Sequence, residues 1–257
     1  MFVSDCHSRA GIIRPSDSLG DSLKRLALIT AAVAALALSG CAQTPPPVSE
    51  KVQQAYDANK TLTPQSPPVD PLAKGRANGS LSVYFIGDSL TDGWNATTQP
   101  QAFRPRVVQA LQKGGPVDAT AVYKAGANTA TVAAMSTPPA SPGLVIVELG
   151  TNDVNKTDIG KFGTDYAALL DSLNATKPVL VCVGTWQFGT TMGFDSVIES
   201  ACEARGGRFV KIGDIRENPA MVAVKGSSGY PDAADGNHPN DAGHTEIARR
   251  IVAALTP

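Results

Sequence analysis

The sequence predicts an α/β protein in which helices form two layers around a five-stranded parallel sheet, a three-layer α/β/α sandwich built from residues 81–257. Three observations lead there. From residue 81 onward, short apolar, β-branched runs alternate with amphipathic or small-residue segments. The runs are almost continuously apolar rather than alternating, as strands buried on both faces are. The composition is that of an ordinary globular protein: of 257 residues, 42% are hydrophobic and 18% charged, with a formal net charge of -1. A disordered chain would carry fewer apolar residues and more net charge, and a nucleic-acid binder a basic surplus, so no nucleic-acid partner is expected.

Taken in order, the strands are expected at 81–87 (LSVYFIG), 117–124 (VDATAVYK), 144–150 (LVIVELG), 178–185 (PVLVCVGT) and 208–213 (RFVKIG). Helices fit between them at 101–112, 129–135, 159–175 and 194–204, and a last one closes the chain at 240–255. Strands that alternate with helices in this way make parallel crossovers. No internal repeat occurs. In open parallel sheets, ligands bind outside the carboxyl ends of the strands. The residues just past each strand are therefore the candidates for chemistry. They are DSLTDGW after the first, AGANT after the second, TND after the third and WQF after the fourth, with DGNHP beyond a long loop after the fifth.

The first 80 residues read differently. Lys24 and Arg25 precede an uncharged apolar run at 26–38, followed by Ser39, Gly40 and Cys41. At about 1.5 Å per residue such a run gives roughly 20 Å of helix, short of the ~30 Å bilayer core, which fits the h-region of a signal peptide rather than a membrane span. LSGC resembles the bacterial lipobox, which implies a lipoprotein signal peptide over 1–40, lipidation at Cys41, and an exported chain held to the cell envelope by its anchor, on the periplasmic face of the outer membrane. Residues 41–80 hold seven prolines and few large apolar side chains, and read as a tether with at most a short helix near 50–60. Beyond the leader and Cys41, only Cys182 and Cys202 are free to pair. An exported compartment permits that bridge, worth roughly 3 kcal/mol for a loop of about 20 residues, while two buried thiols fit the same spacing. No CxxC or His/Cys cluster points to a metal.

Four blocks stand in order at predicted strand ends: GDSLTDGW (87–94), KAGANTA (124–130), GTND (150–153) and DGNHPNDAGH (235–244). Together they resemble the SGNH/GDSL hydrolase family across the whole of 81–257. The resemblance implies a flavodoxin-like sandwich acting as a serine ester hydrolase without a cofactor, the first block giving the nucleophile and the last the acid and base. Ser89 leaves the first strand on a tight turn, but a serine hydroxyl needs a base within reach. His238 fits, with Asp235 three residues earlier to orient the imidazole. The Ser89 N–H, the Gly126 N–H and the Asn152 amide are the expected oxyanion donors. His244 also has an aspartate three residues before it. It shares a helical stripe with Ile247, Ala248 and Ile251, however, and reads as a packed structural residue. Asp88, Asp92 and Asp153 are expected to brace turns, Asn128 to serve a turn, and Asp241 to favour a helix start. Gly20-Asp21-Ser22-Leu23 repeats the first tetrapeptide but precedes the h-region and follows no strand, so Ser22 is a decoy.

Trp94, Trp186, Phe188 and Tyr230 are the expected cleft walls, on the strand-end loops and the 185–194 and 216–234 segments. The expected substrate is an oxygen ester with a small acyl group, including acetyl on envelope carbohydrate. A lysophospholipase or thioesterase, an O-acyltransferase to a glycan, and a non-catalytic binding module are the competing readings. Small-molecule, glycan or lipid esters are the expected partners, with the membrane reached through the lipid anchor and the enzyme itself monomeric.

Overall fold

The computed structural model describes residues 71–76, 79–187 and 192–256, together with Gln54. The chain divides into two units, Met1–Pro45 and Pro46–Pro257. The first lies wholly outside the described residues, so the expected leader and the lipidation site Cys41 lie outside them too, as do Phe188 and nearly all of the helix expected at 50–60. Among the described residues no helix is long and apolar enough to cross a membrane.

The sheet holds β1 (Leu81–Gly87), β2 (Val117–Tyr123), β3 (Leu144–Glu148), β4 (Val179–Val183) and β5 (Arg208–Val210), all parallel, in the order β2-β1-β3-β4-β5. This is the flavodoxin-like order, with the chain reversing direction of travel across the sheet at β1 and β3. The helices are α1 (Pro71–Gly75), α2 (Ser89–Asp92), α3 (Phe103–Gln112), α4 (Thr129–Met135), α5 (Ile159–Leu173), α6 (Met192–Glu203), α7 (Gly213–Arg216) and α8 (Asp241–Ala254).

Period-two alternation within buried strands builds two cores. Val83 and Phe85 of β1, Leu144 and Ile146 of β3, and Val181 and Val183 of β4 face the layer of α3 and α8, where they meet Phe103, Val107, Ile247 and Ile251. Tyr84, Ile86, Val145, Val147 and Leu180 face α4, α5 and α6, where they meet Val132, Phe162, Tyr166 and Ile198. Every residue of β3 and β4 is buried, which is why those strands read as unbroken apolar runs. The edges are handled differently. β2 exposes Asp118, Ala119 and Thr120, and β5 is only 3 residues long, both common ways of blunting an edge. Cys182 of β4 and Cys202 of α6 are bridged, which ties a sheet-covering helix to the strand beneath it.

Element boundaries differ from expectation where a local feature wins. The third strand stops at Glu148 rather than at 150 because Gly150 turns to φ 117. The fifth ends early because Gly213 opens α7. The 3-10 turn Gln99–Gln101 takes the residues expected to begin α3. The folded domain also starts before residue 81. Leu72 of α1 packs on the core, and Arg76 donates to the Pro116 and Leu111 carbonyls at 2.8 and 2.6 Å. A proline-rich composition hid this, because one leucine and one arginine suffice to dock a single turn.

Candidate active site

The nucleophile turn is built around close approach. A Cβ at Gly87 would lie 1.9 Å from Thr91 Oγ1 and 2.8 Å from the Glu148 carbonyl oxygen, so only glycine lets β1 pass under the next turn. Asp88 then caps α2: its Oδ1 accepts the Leu90 N–H at 3.0 Å. Glu148 completes the support from β3, its Oε2 accepting from the Asp88 N–H at 3.3 Å, the Thr91 N–H at 3.2 Å and the Thr91 hydroxyl at 2.9 Å. Ser89 is thereby fixed at the first position of α2, only 5% exposed, with its side chain at the sheet edge.

Ser89 Oγ lies 2.8 Å from His238 Nε2, and His238 Nδ1 lies 2.7 Å from Asp235 Oδ2. The aspartate accepts a hydrogen bond from the Nδ1–H, which leaves Nε2 as an acceptor for the serine hydroxyl. Asp235 Oδ1 accepts in turn from the Asn95 amide at 2.6 Å, the Asn237 N–H at 2.8 Å and the His238 N–H at 3.2 Å. Partial burial raises the Asp235 carboxyl. The Asn237 N–H, the His238 charge and the remaining donors outweigh that and hold it near 2. The carboxylate therefore stays ionised at neutral pH.

Three donors converge beside Ser89. Among the described residues the Ser89 and Gly126 N–H groups donate to no protein acceptor. Gly126 sits at φ 72 with open space where a Cβ would be, so its conformation rather than crowding calls for glycine. Asn152 donates one amide hydrogen to Asp88 Oδ2 at 2.8 Å, which leaves the second free to face the cleft. Burial pushes Asp88 up to about 6 against the Leu90 N–H, His238 and Asn152, which pull it down. Burial first, and then Asp88 itself, push Glu148 well above the carboxylate range.

Ser89, Gly126, Asn152, Asp235 and His238 line one cavity of about 490 Å³, which also takes in Trp94, Trp186, Thr151, Gln187 and Arg216. Trp94 packs on His238 with ring centroids 5.3 Å apart. Trp186 lines the cavity and belongs to the core as well, 1% exposed, and its Nε1 donates to the Asn237 carbonyl at 2.7 Å. Tyr230 is not a wall of this cavity. Its hydroxyl points to Asp92 Oδ1 at 3.4 Å, and its backbone pairs with Asn95 and Ala96. Arg216 reaches the cavity, but the Tyr230 part of the 216–234 segment curls back on the Trp94 segment.

The remaining expectations fall as follows. His244 is fully buried, donates from Nε2 to the Trp94 carbonyl at 3.0 Å and accepts the Phe103 N–H at 3.3 Å. It is a structural residue. Asp153 takes the Thr129 N–H and hydroxyl and the Thr157 hydroxyl, and Asn128 caps α4 through the Thr131 N–H. Asp241 accepts from the Thr97 N–H and hydroxyl, while Asn240 caps α8. No group of side chains suited to a metal occurs among the described residues. Sequence reasoning missed Glu148 and Asn95, and gave Gln187 and Arg216 no part beyond membership of a strand-end or loop segment. Glu148 alone left a signal, as the one charged residue at the end of an otherwise apolar run.

A parallel sandwich with a serine, a histidine and an aspartate in hydrogen-bonded series at its carboxyl edge has the layout of a hydrolase. The chain matches the model of the GDSL-like Lipase/Acylhydrolase family over residues 85–245 and belongs to that family of ester hydrolases. No curated protein matches it. Among solved structures it is similar in fold to CEX, a two-domain esterase active on acetylated mannans (TM-score 0.55, 20% identity, 74% of this chain and 53% of that one). It is similar also to an Axe2 catalytic mutant, an acetylxylan esterase from Geobacillus stearothermophilus (TM-score 0.55, 16% identity, 69% and 94%). A third is the lipase Lip_vut3 from a goat rumen metagenome (TM-score 0.53, 15% identity, 68% and 97%). The chain spans about half the length of the two-domain esterase.

Proposed function

We propose that this chain is a monomeric serine esterase that removes small acyl groups, acetyl above all, from oxygen esters of carbohydrate by way of an acyl-serine intermediate. The observation that carries the reading is the unbroken series Ser89 Oγ, His238, Asp235 at 2.8 and 2.7 Å, beside three convergent donors. In the first half, Ser89 Oγ attacks the ester carbon as its proton passes to His238 Nε2. The carbonyl oxygen takes the electron pair and is held by the Ser89 and Gly126 N–H groups and the Asn152 amide. Collapse expels the alcohol, which takes the proton from His238. In the second half, water replaces the alcohol in reverse order, releasing the acid and restoring Ser89.

The small acyl group is argued from the walls. Thr151, Gln187, Arg216 and Asn237 give the cavity a polar side, poorly suited to a long alkyl chain and well suited to sugar hydroxyls, while Trp94 offers a flat apolar face. The reported activities of CEX and Axe2 on acetylated glycans agree with this. A chain-length series of 4-nitrophenyl esters run beside acetylated glycans tests it. Activity should fall beyond about four acyl carbons and acetate should be released from glycan, with both lost in Ser89→Ala. A preference for long acyl chains would replace this reading with a lysophospholipase or thioesterase.

We also propose export and lipid anchoring through Cys41, on the periplasmic face of the outer membrane. The apolar run at 26–38 and the LSGC string support it, and the Cys182–Cys202 bridge fits an oxidising compartment. Labelling with a radioactive fatty acid should mark the wild type and not Cys41→Ser.

A further inference from the structure

Beyond the oxyanion donors the cleft continues. Ala125, Gly126 and Asn152 line the main cavity and also a second one of about 370 Å³. That second space is bounded by Lys124, just past β2, and Lys156, on the loop after β3, and no carboxylate is among its walls. Both lysines are exposed, and neither ammonium group makes an ion pair or hydrogen bond among the described residues. The backbone fixes where they stand: the Lys124 N–H donates to the Gly87 carbonyl at 3.3 Å and the Lys156 N–H to the Asp153 carbonyl at 2.9 Å. Of the two acids on the same loop, Asp153 is 1% exposed and occupied by Thr129 and Thr157, while the exposed Asp158 caps α5 through the Gly160 and Lys161 N–H groups and does not line this cavity. At the opposite end of the main cavity stands Arg216, which donates to the Trp186 carbonyl at 2.9 Å. In a chain of net charge -1, the strand-end edge thus carries cations on both flanks of Ser89.

We propose that the second cavity is a subsite for an anionic group of the substrate, a carboxylate or phosphate held between Lys124 and Lys156, so that the preferred ester is one carried by an acidic polymer. The inference rests on the esterase reading above. An acetyl group is too small to carry the charge itself, so the anion belongs to the alcohol part. Position favours the assignment as well as charge. Whatever places its carbonyl oxygen at Gly126 and Asn152 has the two lysines directly beyond those residues, and the polymer can run across the strand ends from β2 toward Arg216. Exposed charge pairs are each worth up to about fivefold in affinity and are screened by salt.

The test compares kcat/KM of the full chain on acetylated polygalacturonate and acetylated xylan, with a 4-nitrophenyl hemisuccinate and butyrate pair as the second arm. The expected result is a preference of about tenfold for the acidic polymer at low salt. That ratio should collapse toward one in about 0.5 M NaCl, fall by about fivefold in K124Q/K156Q, and fall below one in K124E/K156E. A wild-type ratio near one, or a ratio indifferent to both double variants, overturns the subsite. A preference for hemisuccinate without one for the acidic polymer overturns the assignment to the alcohol part. Failure of the esterase reading would look different: neither polymer nor aryl ester would be cleaved, or Ser89→Ala would cleave both.

Discussion

Glu148 Oε2 and Thr91 Oγ1 lie 2.9 Å apart, across 57 residues of sequence and beneath the turn that presents Ser89. That oxygen also takes two backbone N–H groups, while Glu148 Oε1 has no partner among the described residues. Removing the side chain leaves three buried donors unanswered. Glu148→Ala should cost about 2–4 kcal/mol in a urea unfolding measurement and lower kcat by up to about 100-fold through a displaced Ser89. Glu148→Gln separates geometry from charge. A carboxyl whose native pKa is raised holds its proton better folded than unfolded, so its contribution is complete below the usual carboxylate pKa and declines as pH climbs toward the native one. The glutamine variant should therefore keep most activity and gain stability relative to wild type as pH rises above the usual carboxylate range.

The proton path makes its own kinetic demands. Ser89→Ala and His238→Ala should each reduce hydrolysis of 4-nitrophenyl acetate to the level left by the donors alone. Asp235→Asn, which keeps the shape and loses the orienting charge, should cost about 10⁴ in kcat. Asn152→Ala should lower kcat by about 10²–10³ with little change in KM, because its free N–H acts on the charge that develops in the transition state. A large rise in KM with kcat intact would assign Asn152 to ground-state binding.

His244 predicts a weakness toward acid. Burial chiefly lowers its pKa, with the Trp94 carbonyl opposing, to about 4 from an ordinary 6.5. Between those values the unfolded chain takes up a proton that the native chain refuses, so stability is full above about 6.5 and falls as pH drops toward 4, by about 3 kcal/mol in all. The reason is local. Its Nδ1 serves as the acceptor for the Phe103 N–H at the start of α3, where Ala102 has no side chain to cap with. His244→Gln should be less stable than wild type at pH 7, and the gap in urea midpoint should narrow as pH falls to 4.

The bridge between Cys182 and Cys202 closes a separation of 20 residues. Cys182→Ala/Cys202→Ala should lose about 3 kcal/mol by the loop-entropy relation, read as a lower thermal midpoint. Activity at 25 °C should hardly change, since among the described residues none of β4 or α6 lines the cavity. A fall in kcat with an unchanged midpoint would contradict that division.

Much of this molecule could be read before it was folded, and the reasons differ by element. β1 and α4 fall where the sequence places them because buried strands and small helices leave strong local patterns. Ser89, His238 and Asp235 were legible because each lies just past a strand or on a constrained loop, in blocks that stand in order along the chain; the Asp–His spacing alone did not choose between His238 and His244, and the apolar stripe around His244 did. Partners supplied across the fold were not legible. Asn95, 140 residues from the Asp235 carboxylate it steadies, looked like any turn residue, and Tyr230 looked like a cleft wall until the loop was seen turning toward Asp92. Arg216 was hidden for the same reason, since nothing local says which loop bends over a cavity.

Asp235 and His238 sit in one four-residue loop, stitched internally by the contacts of Asp235 Oδ1 and from outside by Asn95 and by Trp186 through Asn237. Asp235 and His238 therefore form one hydrogen-bonded piece. The nucleophile, 149 positions away in sequence, meets that piece at one hydrogen bond. The hydrogen-bonded series Ser89, His238, Asp235 thus has a single joint between distant parts of the chain, the gap between Ser89 Oγ and His238 Nε2. Trp94, tilted against that imidazole, is a native fluorophore placed at the joint.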